Sequence, residues 1–127
     1  MHIVGVGTEI VECLRVGRLI EQHGEQFLRR VFTDREILFC QSRRRAVEHF
    51  AAHYAAKEAV LKAMNTAWRR GLEWTDIEVR EEPGRPPTVL LAGVAKDMAE
   101  GLRLIDVHLS IAHCRAYATA TAIAVRE

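Results

Sequence analysis

From residue 46 to residue 67 the chain reads as a helix with no face left over for water. Alanine dominates Ala51 to Ala63, and alanine is the strongest helix former. Advancing about 100° per residue puts Phe50, Tyr54, Leu61, Met64 and Trp68 on one face, and Ala52, Ala56, Ala59 and Ala63 on the other. A helix that is apolar all round is normally buried, so the rest of the chain has to wrap it. Yet Lys57, Glu58 and Lys62 stand in its middle, Lys57 aimed into the large apolar stripe and Glu58 at its edge. Glu58 and Lys62 are i,i+4 neighbours, which on an exposed helix contributes only a few tenths of a kcal/mol, roughly. On a buried helix such charges are costly unless they are paired or bound to something. A structural and a functional reading both stay open here.

The rest of the 127-residue chain supplies the wrapping, and the whole reads as a single domain spanning residues 1–127. Residues 2–8 read as a buried strand, with Gly5 and Gly7 marking a close approach to its backbone. Helices are expected at 11–23 and 27–31. Another follows the capping box Thr33-Asp34-Arg35-Glu36 and runs to about residue 42. Strands are expected at 74–80 and 88–91, either side of the turn Glu82 to Pro87, then a helix at 92–101. Residues 107–112 and 117–125 alternate and form a hairpin around Cys114-Arg115-Ala116. The fold class is α+β, a long central helix packed on antiparallel strands.

Several function classes drop out. The formal net charge is only +1, so bulk electrostatics do not drive nucleic-acid binding. The local patch Arg43-Arg44-Arg45 with Arg69 and Arg70 is the one feature for it, and such runs are usually solvated turns. Cys13, Cys40 and Cys114 are far apart and lack zinc or disulfide spacing, consistent with a reducing cytoplasm. Glu9 and Glu12 break the first apolar run, so no secretory leader is read, and no stretch is apolar for long enough to span a membrane. No GxSxG elbow or HExxH zinc motif occurs. Glu9, at the end of the first strand, either caps the next helix or holds a hard cation beside phosphates. Gly5-x-Gly7 is a weak phosphate-loop signal, since Ile10 stands where a third glycine belongs. His108 and His113 lie near the ends of one strand, where a histidine is more often a satisfied structural residue than a ligand.

Taken together, four segments resemble one family. Gly5-Val6-Gly7-Thr8-Glu9-Ile10-Val11-Glu12 is similar to the G-(I/V)-G-x-D-(I/V)-x-E start of the holo-acyl-carrier-protein synthases, the small bacterial 4'-phosphopantetheinyl transferases. His53-Tyr54-Ala55-Ala56-Lys57-Glu58-Ala59 with Lys62 resembles their R-(F/W)-A-A-K-E-A-x-x-K signature, Gly84-Arg85-Pro86 their G-(K/R)-P turn, and His108 to His113 their H-(V/L)-S-(I/L)-(S/T)-H strand. The resemblance implies transfer of the 4'-phosphopantetheine arm of coenzyme A to a serine of an apo acyl carrier protein, with adenosine 3',5'-bisphosphate released. It implies Glu9 and Glu58 as ligands of Mg²⁺ on the diphosphate, and Glu9, Glu58 and Lys62 as the catalytic set. Lys62 would stabilise phosphate charge, and Glu58 or a metal-bound water would take the serine proton. Lys62, Pro86, His113 and His53 are implied as contacts to coenzyme A, with Pro86 near the adenine end. Arg15 and Arg18 on the first helix are candidate docking residues for the acidic carrier protein. A homotrimer with sites shared between subunits is implied as well, in the cytoplasm, with no role for nucleic acid or membrane.

Three positions depart from the family pattern. Glu9 replaces Asp, and the longer arm puts the near-ideal octahedron of Mg²⁺ in question. His53 replaces Arg, and Ala112 replaces a Ser or Thr. The alternative reading is therefore a catalytically impaired homologue that still binds coenzyme A or the carrier protein.

Overall fold

The computed structural model describes residues 1–127. Its elements run β1 (His2–Glu12), α1 (Cys13–His23), α2 (Glu25–Val31), α3 (Asp34–Gln41), α4 (Ala46–Ala63), β2 (Ile77–Arg80), β3 (Thr88–Leu91), α5 (Gly93–Gly101), β4 (Asp106–His113) and β5 (Tyr117–Arg126). β1, β5 and β4 form an antiparallel sheet in that order, and β2 with β3 forms a separate hairpin. This is the α+β arrangement expected, with α4 packed across β1 and β5.

Small side chains let that helix come close. β5 places Ala118, Ala120, Ala122 and Ala124 at alternate positions, and all four are buried. A methyl group on Gly7 would overlap the carbonyl oxygen of Ala59 and the amide nitrogen of Ala63, and one on Gly5 would overlap the carbonyl of Ala63. The N-terminal glycines are explained by α4, with no phosphate loop needed.

Three boundaries differ from the sequence expectation: the strand expected at 74–80 begins only at Ile77, because Trp74–Asp76 form a 3-10 turn, and the other two differ for a tertiary reason. β1 continues to Glu12, because Glu9 to Glu12 pair with Ala120 to Tyr117 of β5. Glu9 therefore sits within a strand and caps no helix. α4 stops at Ala63 because Asn65 adopts a left-handed φ of 57°, which Asn tolerates better than most residues. The Asn65 amide donates to the Val4 carbonyl at 3.1 Å, tying the helix end to β1. Trp68 consequently leaves the helix and packs on Trp74, with ring centroids 3.9 Å apart.

The capping box at the start of α3 forms as read, Thr33 Oγ1 accepting from the Glu36 amide at 3.2 Å and Glu36 Oε1 from the Thr33 amide at 3.1 Å. Glu36 does far more than cap. It is 1% exposed, and Lys57 Nζ donates to its Oε1 at 2.7 Å. Its Oε2 lies 2.9 Å from His53 Nδ1 and accepts the Val79 amide at 3.3 Å. Lys57 also donates to the carbonyls of Trp74 and Ile77. The buried lysine of the central helix thus reads as structural, tying α4, α3 and the β2 region into one cluster.

Candidate active site

Glu9 comes from the inner face of β1, in register with Ala120 of β5, and Glu58 and Lys62 come from adjoining turns of α4. Lys62 Nζ lies 3.0 Å from Glu9 Oε2 and donates to the Thr8 carbonyl at 3.0 Å. Burial, and then the charge of Glu9, push the half-buried Glu58 carboxyl above its usual range, while Arg15 on α1 and Lys62 pull against this. Strand and helix therefore bring two carboxylates and one ammonium to one edge of the domain. A second carboxylate whose charge raises the proton affinity of Glu58 makes a place that suits a cation. No group of three or more His, Cys, Asp or Glu side chains could cage a metal ion. The donor set fits Mg²⁺, which takes one or two carboxylates and completes its shell with substrate phosphates and water.

A second feature lies at the N-terminal end of α4. Arg43, Arg44, Arg45 and Arg115 line an open cavity of about 850 Å³ together with His113. His113 Nδ1 lies 3.0 Å from Glu48 Oε1, and the other oxygen of Glu48 is 3.6 Å from Arg45 Nη1. Glu48 thus holds an imidazole and a guanidinium side by side at the rim. None of Glu9, Glu58 or Lys62 lines this cavity, so the carboxylate pair and the arginine-rich cavity are two separate stations. By sequence alone the arginine run reads as a solvated turn or a nucleic-acid patch. The missing signal was long-range, because Arg115 and His113 arrive from the β4–β5 turn.

The placement of His53 is a correction. It was expected to contact coenzyme A, but it is fully buried and both its ring nitrogens are engaged: Nδ1 as described and Nε2 at 2.7 Å from Glu81 Oε2. A neutral imidazole has a single N–H, so bridging two carboxylates requires the imidazolium. Burial would lower the His53 pKa, but the hydrogen bonds to Glu36 and Glu81 outweigh it and raise it. No polar atom of His53 is left for a ligand. Where the family pattern has Arg, this chain keeps a cation as an internal brace.

Pro86 is exposed between β2 and β3 and does not line the arginine-rich cavity. His108 is exposed on the outer sheet face, 3.8 Å from Asp106. Ala112 is paired with Thr119, whose hydroxyl donates to the Ala112 carbonyl at 3.4 Å. Arg15 and Arg18 are both exposed on α1. No helix is long and apolar enough to cross a membrane.

Comparison with known proteins identifies the family and the fold. Residues 5–122 match the family model of the 4'-phosphopantetheinyl transferase superfamily. A holo-(acyl-carrier-protein) synthase of Rhodopirellula baltica is 51% identical over 120 residues, covering 94% of this chain and 95% of the relative. The crystal structure of the holo-(acyl-carrier-protein) synthase from Neisseria meningitidis superimposes with a TM-score of 0.89 at 27% identity, covering 98% of this chain and 100% of that one. A Bacillus anthracis holo-(acyl-carrier-protein) synthase, solved in complex with CoA (3',5'-ADP), superimposes with a TM-score of 0.80 at 29% identity, covering 98% of each chain. On the full-length match and the shared fold, this chain belongs to the holo-(acyl-carrier-protein) synthase family of 4'-phosphopantetheinyl transferases.

Proposed function

We propose that this chain moves the 4'-phosphopantetheine group from coenzyme A to a serine of an apo acyl carrier protein, with Mg²⁺ held by Glu9 and Glu58. The observation that carries the reading is the meeting of Glu9, Glu58 and Lys62 at one edge, apart from the arginine-lined cavity. Coenzyme A carries a diphosphate and a separate 3'-phosphate monoester. The two stations suit the two groups: the monoester among Arg43 to Arg45, Arg115 and His113, the diphosphate at Glu9, Glu58 and Lys62. When bound, Mg²⁺ neutralises charge on the diphosphate. Lys62 adds a point charge beside the same oxygens. Glu58, or a water held beside it, takes the proton of the carrier serine. The serine oxygen then bonds to the phosphorus of the phosphopantetheine. The bond to the bridging oxygen breaks, and adenosine 3',5'-bisphosphate leaves with the electron pair.

Arg15 and Arg18 on α1 are the proposed docking residues for an acidic carrier protein, and the charge of Arg15 already reaches Glu58. Pro86 is proposed to lie near the adenine. The outer face of the three-stranded sheet exposes Val6, Ile10 and Tyr117, in keeping with a homotrimer that covers it and completes sites between subunits. The setting proposed is the cytoplasm. One observation favours the alternative of an impaired homologue: Glu9 is already engaged by Lys62. Intact-mass spectrometry of apo carrier proteins incubated with the protein, coenzyme A and Mg²⁺ separates the two. A gain of one phosphopantetheine, abolished by EDTA, supports transfer. Binding of coenzyme A with no gain supports the impaired homologue, and no binding at all refutes both.

A further inference from the structure

His49 lines the arginine-rich cavity, and neither the family pattern nor the proposed mechanism gives it a task. It sits near the start of α4 with its ring edge-on to Phe39 of α3, centroids 5.9 Å apart, and to His113 of β4, centroids 4.7 Å apart. Its Nδ1 is the one buried side-chain nitrogen or oxygen in the chain without a hydrogen-bond partner. Buried polar groups are nearly always paired, so such an exception asks for an explanation. A proton on Nδ1 would be a buried donor with nothing to receive it, so the ring keeps its proton on Nε2. Burial and the charge of His113 push the His49 pKa down, against the pull of Glu81. The ring is therefore neutral near neutral pH and carries a single N–H on its accessible edge.

We infer that His49 is a specificity-determining contact, donating its Nε2–H to the phosphate monoester seated among the arginines of this cavity. The inference rests on the proposed placement of the coenzyme A 3'-phosphate there. The arginines attract any polyanion through charge that solvent and salt screen. A neutral N–H fixed between two aromatic rings acts only at hydrogen-bond distance and direction. It therefore adds selectivity for a ligand whose phosphate reaches that spot.

The test is isothermal titration of the whole protein with coenzyme A and with dephospho-coenzyme A, which lacks the monoester. His49→Phe keeps the aromatic packing and removes the donor. It is expected to weaken coenzyme A about tenfold, as for loss of one hydrogen bond to a charged group, and to leave dephospho-coenzyme A unchanged. His49→Gln, whose amide nitrogen stands in for Nε2, is expected to retain most of the affinity, and His49→Asn to resemble His49→Phe. An unchanged preference for coenzyme A in His49→Phe, or equal loss for both ligands, overturns the proposal, as does a His49→Gln protein no better than His49→Phe. Arg44→Ala serves as the control for the placement itself. If it leaves the preference unchanged, the phosphate does not sit in this cavity and both inferences fall. If it removes the preference while His49→Phe does not, only the role of His49 fails.

Discussion

Replacing Glu36 by Gln removes one negative charge from the centre of the buried cluster and changes little else in shape. Lys57 is then left fully buried with no carboxylate in contact, its remaining acceptors being the carbonyls of Trp74 and Ile77. His53 keeps only Glu81. Breaking a buried ion pair by removing one partner costs about 3–5 kcal/mol, against a total stability of roughly 5–15 kcal/mol for a domain. With a urea dependence of about 2 kcal/mol per molar, the unfolding midpoint should fall by about 2 M. The assay is equilibrium urea unfolding followed by tryptophan fluorescence, Trp68 and Trp74 being packed together beside this cluster. The sharper comparison is the double variant Glu36→Gln with Lys57→Met. If the loss comes from an orphaned ammonium, removing that ammonium restores part of it, and the double variant is more stable than Glu36→Gln alone. A single-variant shift below about 0.5 M, or a double variant that is less stable still, refutes the argument.

Other outcomes follow from the same contacts. His53 has its folded-state pKa raised above the unfolded value of 6.5, so its stabilisation is complete below that value and is lost as pH rises through the folded one. The gap in urea midpoint between the wild type and His53→Gln should therefore narrow on the alkaline side, and a gap that widens contradicts the bridge. Glu36 behaves oppositely. Burial would raise its carboxyl, but the hydrogen bond to His53 and the charge of Lys57 hold it low, so its stabilisation persists until pH falls below 4.5 and through the lower folded value. Gly7→Ala forces a methyl into the backbone of α4 and should destabilise by about 1–3 kcal/mol, read as a drop in melting temperature. Without metal, the Glu58 carboxyl should titrate above the ordinary value of 4.5, followed by carboxyl NMR, and Mg²⁺ held by Glu9 and Glu58 should shift that titration down; a titration that Mg²⁺ leaves in place contradicts the pairing.

Local rules were enough where the determinants are local. The Thr33–Glu36 capping box, the turn between β2 and β3 and the alternation in β4 and β5 all lie in short windows of sequence, and they form as read. The double-sided apolar character of α4 identified the central helix and flagged its charged residues. It did not separate their tasks. Lys57 and Glu58 are neighbours in sequence, yet one is tied to Glu36 inside the core and the other faces Glu9 at the edge. That division depends on which element packs on each side of the helix. His53 was misassigned for the same reason, since its partners, Glu36 and Glu81, lie far along the chain in either direction. The arginine run after α3 could be seen but not interpreted until the β4–β5 turn brought His113 and Arg115 to it.

The proposed function turns on Glu9 and Glu58 acting together as the cation-holding pair at the diphosphate. The measurement that tests it most directly is the rate of phosphopantetheine transfer to an apo carrier protein as a function of Mg²⁺ concentration, read by intact mass, for the wild type and for Glu9→Ala. The wild type should saturate, and Glu9→Ala should need far more Mg²⁺ and turn over more slowly at every concentration. Superimposable Mg²⁺ curves for the two proteins would contradict the claim.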